Sequence, residues 1–123
     1  MSVRDHILIA HSLSSKTFGP AQKLHGATYI IDLEFARKEL DGDNIVIDIG
    51  LASRILSEVS SELNYRNLDE MKQFKYEITT TEFLARYIHE KIRIRIESIF
   101  RGFMKVTLHE SHLAWASYET EVE

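Results

Sequence analysis

The sequence predicts an α+β fold, an antiparallel sheet covered on one face by two helices, and three observations carry that reading. Alternation of period two marks strands near both ends of the chain. A four-residue apolar spacing marks two helices between them, and the two kinds of element do not interleave. At 123 residues the chain makes one domain, residues 1–123.

Taken in order, residues 3–13 form a short candidate strand. In the next, residues 24–35, Tyr29, Ile31, Leu33 and Phe35 alternate with Thr28, Ile30, Asp32 and Glu34, as a half-buried strand does. Pro20, the one proline, falls in a loop over residues 14–23. Leu40-Asp41-Gly42-Asp43-Asn44 is a turn cluster, after which residues 45–49 continue extended. Then the period changes. Leu51, Ile55, Val59 and Leu63 recur every four residues with Leu56 alongside, which makes one apolar helix stripe. Thr79-Thr80-Thr81-Glu82 reads as a capping box, Thr79 accepting from first-turn amides and Glu82 reaching back to the Thr79 amide. Leu84, Ile88, Ile92 and Ile96 carry the second helix, although its tail, residues 92–96, also alternates like a strand. Gly102 ends that run. Residues 103–110 and 113–119 alternate again around Ser111-His112, as the arms of a hairpin. The order is strand, strand, helix, helix, strand, strand.

Composition narrows the function. A hydrophobic content of 44% supports a packed core and 28% charged residues suit a solvated surface. A core of this size gains from burying further surface in an oligomer. The net charge of −4 and pI near 5.9 give no electrostatic reason to expect nucleic acid. No stretch approaches the length that spans a bilayer. Asp5 and His6 interrupt the first apolar run, so it does not read as a signal peptide. Without cysteine there is no disulfide, thiolate ligand or cysteine nucleophile, and the expected location is the cytoplasm.

Six histidines occur. His89 lies among charged neighbours on the second helix and is expected at the surface. His11 and His25 each sit on or at the end of an early strand. Catalytic zinc needs three convergent protein ligands and an open position, and this pair supplies two. By themselves, two such histidines are more often ordinary polar residues than ligands. Glu110 shares the parity of Met104, Val106 and Leu108. A carboxylate there is paired, faces a pocket, or is a surface glutamate at the hairpin turn. In a pocket it would accept two parallel hydrogen bonds from an N–H/NH2 edge, such as that of an aminopyrimidinone ring.

Several segments form one series of landmarks: His11, Leu24-His25-Gly26-Ala27-Thr28-Tyr29, Val46-Ile47-Asp48, Leu63-Asn64-Tyr65-Arg66-Asn67-Leu68, Thr79-Thr80-Thr81-Glu82 and Val106-Thr107-Leu108-His109-Glu110-Ser111. In order and spacing they resemble the 6-pyruvoyl tetrahydropterin synthase family with its bacterial relative 6-carboxytetrahydropterin synthase, over nearly the whole chain. That resemblance implies a T-fold, a four-stranded antiparallel sheet with two helices inserted between its second and third strands. It also implies a homohexamer, a dimer of trimers, with sites between subunits and a pterin-like ligand.

The family's zinc site uses a histidine ending the first strand and both histidines of a His-Gly-His motif. His11 and His25 match the first two, and Ala27 stands where the third should be. A methyl group has no lone pair to give, so no zinc is expected, with His6, His109 and His112 as the candidates for a substitute ligand. His6 has the wrong parity relative to His11. The family's general-base cysteine falls at Ala21, and its Asp-His pair at Asn64 and Tyr65. Alanine and asparagine do not titrate and an ordinary tyrosine titrates near pH ~10, so the family's acid–base triad is absent. The ring-anchoring glutamate is matched by Glu110, and the ring-contacting threonines by Thr80 and Thr81. Three functions follow as expectations. One is a binding protein for a pterin-like or purine-like ring, without the standard synthase reaction. Another is a metal-independent lyase or aldolase on a dihydropterin with a changed acid/base set, drawn from Tyr65, Glu110 or a histidine. The last is an assembly partner without a ligand.

Overall fold

The computed structural model describes all 123 residues, Met1–Glu123. The elements run β1 (Ser2–His11), β2 (His25–Ala36), α1 (Ile49–Leu63), β3 (Arg66–Asn67), α2 (Thr81–Ile96), β4 (Gly102–Ser111) and β5 (Ala114–Val122). One sheet takes the order β3-β1-β2-β4-β5. The pairs β1–β2, β2–β4 and β4–β5 are antiparallel, so the two helices are inserted between the second and third long strands, as expected.

The sheet nevertheless has five strands, not four, and it is mixed. β3 lies parallel to β1 through Ile9↔Arg66 and Ala10↔Asn67. Two residues are too few to show a period, so sequence pattern could not reveal this strand. It is set by the exit from α1, where Asn64 Oδ1 accepts from the Leu8 amide at 2.9 Å and the Tyr65 amide donates to the Leu8 carbonyl at 2.7 Å.

The core lies between the sheet and the helices. Ile7 and Ile9 of β1, Tyr29, Ile31, Leu33 and Phe35 of β2, and Met104, Val106 and Leu108 of β4 point to one side. Ile55, Leu56, Val59 and Leu63 of α1, with Leu84, Ile88, Ile92 and Ile96 of α2, close over them. Each such side chain contributes roughly 1.5–3 kcal/mol by leaving water. Gly102, at φ 149, lets β4 start tight against the end of β2, because a Cβ there would lie 2.4 Å from the Ala36 carbonyl oxygen.

Local chemistry corrects several boundaries. Residues 45–49 do not stay extended: Asp48 caps α1 by accepting from the Leu51 amide at 2.8 Å, and the helix starts at Ile49. At α2 the cap is Thr80 rather than Thr79, its hydroxyl oxygen accepting from the Phe83 amide at 3.1 Å. The tail of α2 stays helical despite its alternation. Arg93 pairs with Glu90 and Glu97 along the helix, and Arg95 reaches Glu58 and Glu62 of α1 at 2.9 and 3.1 Å. The loop holding Pro20 is wound into 3₁₀ turns over Lys16–Gln22.

His89 is not at the surface. It is fully buried between α2 and the β4–β5 hairpin. Its Nε2 is 3.1 Å from the Met104 carbonyl oxygen, which can only accept, so Nε2 carries the proton. Nδ1 has no hydrogen-bond partner, and the nearest carboxylate, Glu90, is 3.6 Å away. Ala85, His89, Ile92 and Ile96 share the buried face of α2, which overrides the charged neighbours in sequence. Burial pushes the His89 pKa below the ordinary imidazole value, and burial together with His25 does the same to His11. The unfolded chain therefore binds more protons than the folded one in that range. Stability is expected to be full above about pH 6.5 and to fall as pH drops through the window below it. Urea midpoints measured down that window should decline, and His89→Gln should flatten part of the slope. Asp32 acts in a separate, more acidic window: Arg4 holds its carboxyl below the usual 3.8, so its contribution is lost only as pH falls beneath that value.

Candidate functional site

The end of β1, the start of β2, the start of α2 and the end of β4 meet around a cavity of about 210 Å³. His11 and His25 are register partners at the open end of the β1–β2 pair. Their rings pack edge to face with centroids 4.7 Å apart. His25 Nδ1 lies 2.9 Å from the Lys23 carbonyl oxygen, an acceptor only, so Nδ1–H donates there and any lone pair of the neutral ring is on Nε2. His11 Nδ1 is 3.0 Å from Thr79 Oγ1, and its depressed pKa keeps that ring neutral at pH 7. Thr79 is thus a buried partner of His11 and not a helix cap.

Tyr29 lines the cavity floor on the same face as His25 and Ala27, its hydroxyl 3.4 Å from Thr81 Oγ1. Burial raises the Tyr29 pKa, with Glu110 adding to the effect and Thr81 opposing it, so Tyr29 stays a neutral phenol. Thr80 and Thr81 enter from the first turn of α2. Glu110 enters from β4, where the pairing with β5 slips between His109 and Ser111. That bulge leaves Glu110 without a strand partner and frees its side chain at the cavity rim. Glu110 is exposed and takes part in none of the chain's ion pairs.

The fold therefore brings together His11, His25, Ala21, Thr80, Thr81 and Glu110. Asn64 and Tyr65 do not join them within the chain. They stand at the outer edge of β1, where Tyr65 is 79% exposed and borders a separate shallow hollow with Leu8 and Arg66. Tyr65 holds a φ of 61, a conformation that bulky residues rarely adopt, and the hydrogen bond that its N–H donates to the Leu8 carbonyl fixes it there. Sequence reasoning missed Tyr29, Phe18 and Glu82 as lining residues. For Tyr29 the signal was available, since an even separation from His25 puts both on one face.

The donor set does not fit the zinc site that the resemblance implies. Ala27, at the position that the resemblance assigns to the third ligand, lies opposite Ile9. No group of three or more His, Asp or Glu side chains has metal-binding geometry. None of the candidate substitutes reaches His11 and His25: His6 is exposed on the opposite face, His109 is bound to Asp32, and His112 sits in the β4–β5 turn. A larger concavity, about 530 Å³, lies at the far end of the sheet among Arg37, Lys38, Glu39, Arg101 and Glu121. It is open, and the charged side chains that line it are of mixed sign. The smaller cavity is the better candidate because a cluster of polar side chains converges on it.

The chain matches the family described as 6-pyruvoyl tetrahydropterin synthase over residues 1–121. It belongs to the 6-pyruvoyl tetrahydropterin synthase family. Among curated relatives, 6-carboxy-5,6,7,8-tetrahydropterin synthase of Bacillus subtilis is 22% identical over 98 residues, 76% of this chain. The match spans 65% of that relative's length. The structure of 6-pyruvoyl tetrahydropterin synthase of Caenorhabditis elegans superposes with a TM-score of 0.85 at 27% identity, covering 98% of this chain and 94% of that one. The Plasmodium falciparum 6-pyruvoyl tetrahydropterin synthase shares the fold with a TM-score of 0.80 at 16% identity, covering 99% and 97%. The T-fold expectation therefore holds for this family member, with the short parallel β3 as its correction. No helix is long and apolar enough to cross a membrane.

Proposed function

We propose that this member of the synthase family binds a pterin-like or purine-like ring through Glu110 and does not perform the standard synthase elimination. One observation carries the reading: Glu110 is the single cavity group that survives from the family's anchoring set as an unpaired carboxylate, held out at the rim by a bulge. A carboxylate in that position takes the N–H/NH2 edge of a cyclic amidine with two charge-assisted hydrogen bonds. Thr81 adds a hydroxyl beside the neutral Tyr29 phenol. His25 offers a lone pair on Nε2 for a ring or side-chain donor.

The groups that the family's elimination needs are missing from the places that would supply them. Ala21, Asn64 and Tyr65 replace the cysteine, aspartate and histidine, and Ala27 replaces a metal ligand. No step of this reading passes through a metal. A cavity of about 210 Å³ is small beside the ~300–1,000 Å³ common for ligand sites, which supports completion by a neighbouring subunit. We place the protein in the cytoplasm as a homohexamer with sites between subunits.

The test is a calorimetric titration of the purified protein with neopterin, with size-exclusion mass measurement and mass spectrometry of any copurified small molecule. Binding with about one site per subunit is expected, together with inertness toward dihydroneopterin triphosphate. Triphosphate release from that substrate at a synthase-like rate would overturn the reading, and so would absence of neopterin binding.

A further inference from the structure

Charge sets the helix-side cavity apart from the other hollows of the surface. Glu82 and Glu110 line it together, and no lysine or arginine does. The two carboxylates come from different elements. Glu110 belongs to the end of β4, and Glu82 to the first turn of α2, directly after Thr81. Burial keeps His11 and Tyr29 neutral at pH 7, so neither ring offsets the carboxylates.

Glu82 is not held by a structural partner. The hydrogen bond that caps α2 is made by Thr80, whose hydroxyl oxygen accepts from the Phe83 amide. Neither Glu82 nor Glu110 takes part in any ion pair of the chain. Both are felt at the cavity floor. Burial raises the Tyr29 pKa most and Thr81 opposes it, while Glu110 and Glu82 each push it further up. The phenol thus lies in the field of both carboxylates.

The volume ties an occupant to the pair. At about 210 Å³ the cavity is below the ~300–1,000 Å³ common for ligand sites, so a ring that enters it cannot meet one carboxylate without the other. The chain does cluster cations, but Arg37, Lys38 and Arg101 stand around the open hollow at the far end of the sheet. A neighbouring copy carries the same net charge of −4 and brings no surplus of cations.

Two carboxylates act on a ligand in opposite senses. Towards N–H, NH2, hydroxyl or ammonium groups each is a strong acceptor. Towards a phosphate each is a like charge, and like charges brought together are a means of rejecting a partner. With Glu110 engaged by the ring edge, Glu82 is left to meet what the ring carries.

We propose that the ring held by Glu110 carries no phosphate, and that Glu82 sets this specificity by accepting from a hydroxyl- or amine-bearing side chain and repelling a phosphorylated one. The inference rests on the Glu110 ligand reading and deepens it by naming the ligand class, an unphosphorylated ring.

The experiment titrates the full chain calorimetrically at low ionic strength with neopterin and, separately, with neopterin triphosphate. Neopterin is expected to bind at least about tenfold more tightly, because like-charge juxtaposition costs more than that factor represents. Added salt should narrow the gap, since the screening length falls from ~30 Å at ~0.01 M to ~3 Å at ~1 M. Glu82→Gln should narrow the ratio of the two affinities, and Glu82→Lys should close or invert it. A carboxylate that only favoured the positive end of α2 would change the melting temperature in these variants and leave the ratio alone. Wild-type protein that binds neopterin and its triphosphate equally well overturns the inference while the Glu110 reading stands. So does a ratio that neither variant moves. If neopterin does not bind at all, the ligand reading fails first and takes this inference with it.

Discussion

Replacing Glu110 with alanine is expected to abolish neopterin binding in a calorimetric titration while the assembly and its melting temperature stay in place. Truncating one partner of a hydrogen-bonded charge pair costs about 2–5 kcal/mol, since the remaining donors are left in the site unpaired. That loss corresponds to roughly 30-fold to several-thousand-fold in affinity, enough to remove a micromolar signal. Stability should not follow, because Glu110 is exposed and outside every ion pair of the chain. Exposed substitutions of this kind usually stay within about 0.5 kcal/mol. Glu110→Gln keeps one acceptor oxygen and loses the charge, so its affinity should fall between the other two. An unchanged affinity in Glu110→Ala would remove the anchor from the ligand reading altogether.

What the sequence made legible, and what it hid, divides along physical lines. The long strands and both helices announced themselves because one face of each is buried, and burial writes a period into the chain. Asp48 and Thr80 moved helix starts by one residue or a few, since a cap is a local hydrogen-bond choice among neighbouring polar residues. β3 was invisible because two residues carry no period. His89 was misplaced for the opposite reason. Its sequence neighbours Glu90 and Lys91 are charged, but the residues beside it on the helix face are Ala85, Ile92 and Ile96, and these decide its burial.

The candidate site shows the same division. His11, His25, Thr80, Thr81 and Glu110 could be singled out by position and come together around one cavity. The bulge that frees Glu110 and the Thr79 contact that orients His11 are tertiary facts without a local signature. Asn64 and Tyr65 show the limit most clearly. Adjacent in sequence to the end of α1, they are carried to the β1 edge, away from the cavity that their alignment with family positions suggested. The Arg4–Asp32–His109 array was illegible for another reason: its members are 28 and 77 residues apart, and only strand pairing joins them.

Supplying a third imidazole should have the other large effect: Ala27→His is expected to create a zinc site where the resemblance puts the family's third ligand. Ala27 shares the β2 face with His25 and Tyr29, and His11 lies across the strand pair from His25. Two donors are already prepared. The His25 lone pair is fixed on Nε2 by the Lys23 carbonyl, and His11 is neutral and tied to Thr79 through Nδ1. Such outer hydrogen bonds orient the rings of metal-binding histidines. A third donor completes the three-ligand set with an open position that zinc accepts. Elemental analysis should then rise from near zero to about one zinc per subunit. At free zinc ~100-fold above the dissociation constant, the variant should gain about 2.7 kcal/mol, removable with a chelator. A full zinc equivalent in the wild-type protein would show that another donor completes the pair and would overturn the metal-free reading. No uptake in Ala27→His would mean that the two imidazoles are not held for a shared ion. Uptake alone should not bring back the family's elimination. Ala21 and Asn64 carry no titratable side chain, and Tyr65 stands at the β1 edge away from the cavity, so the zinc-loaded variant should remain inert toward dihydroneopterin triphosphate.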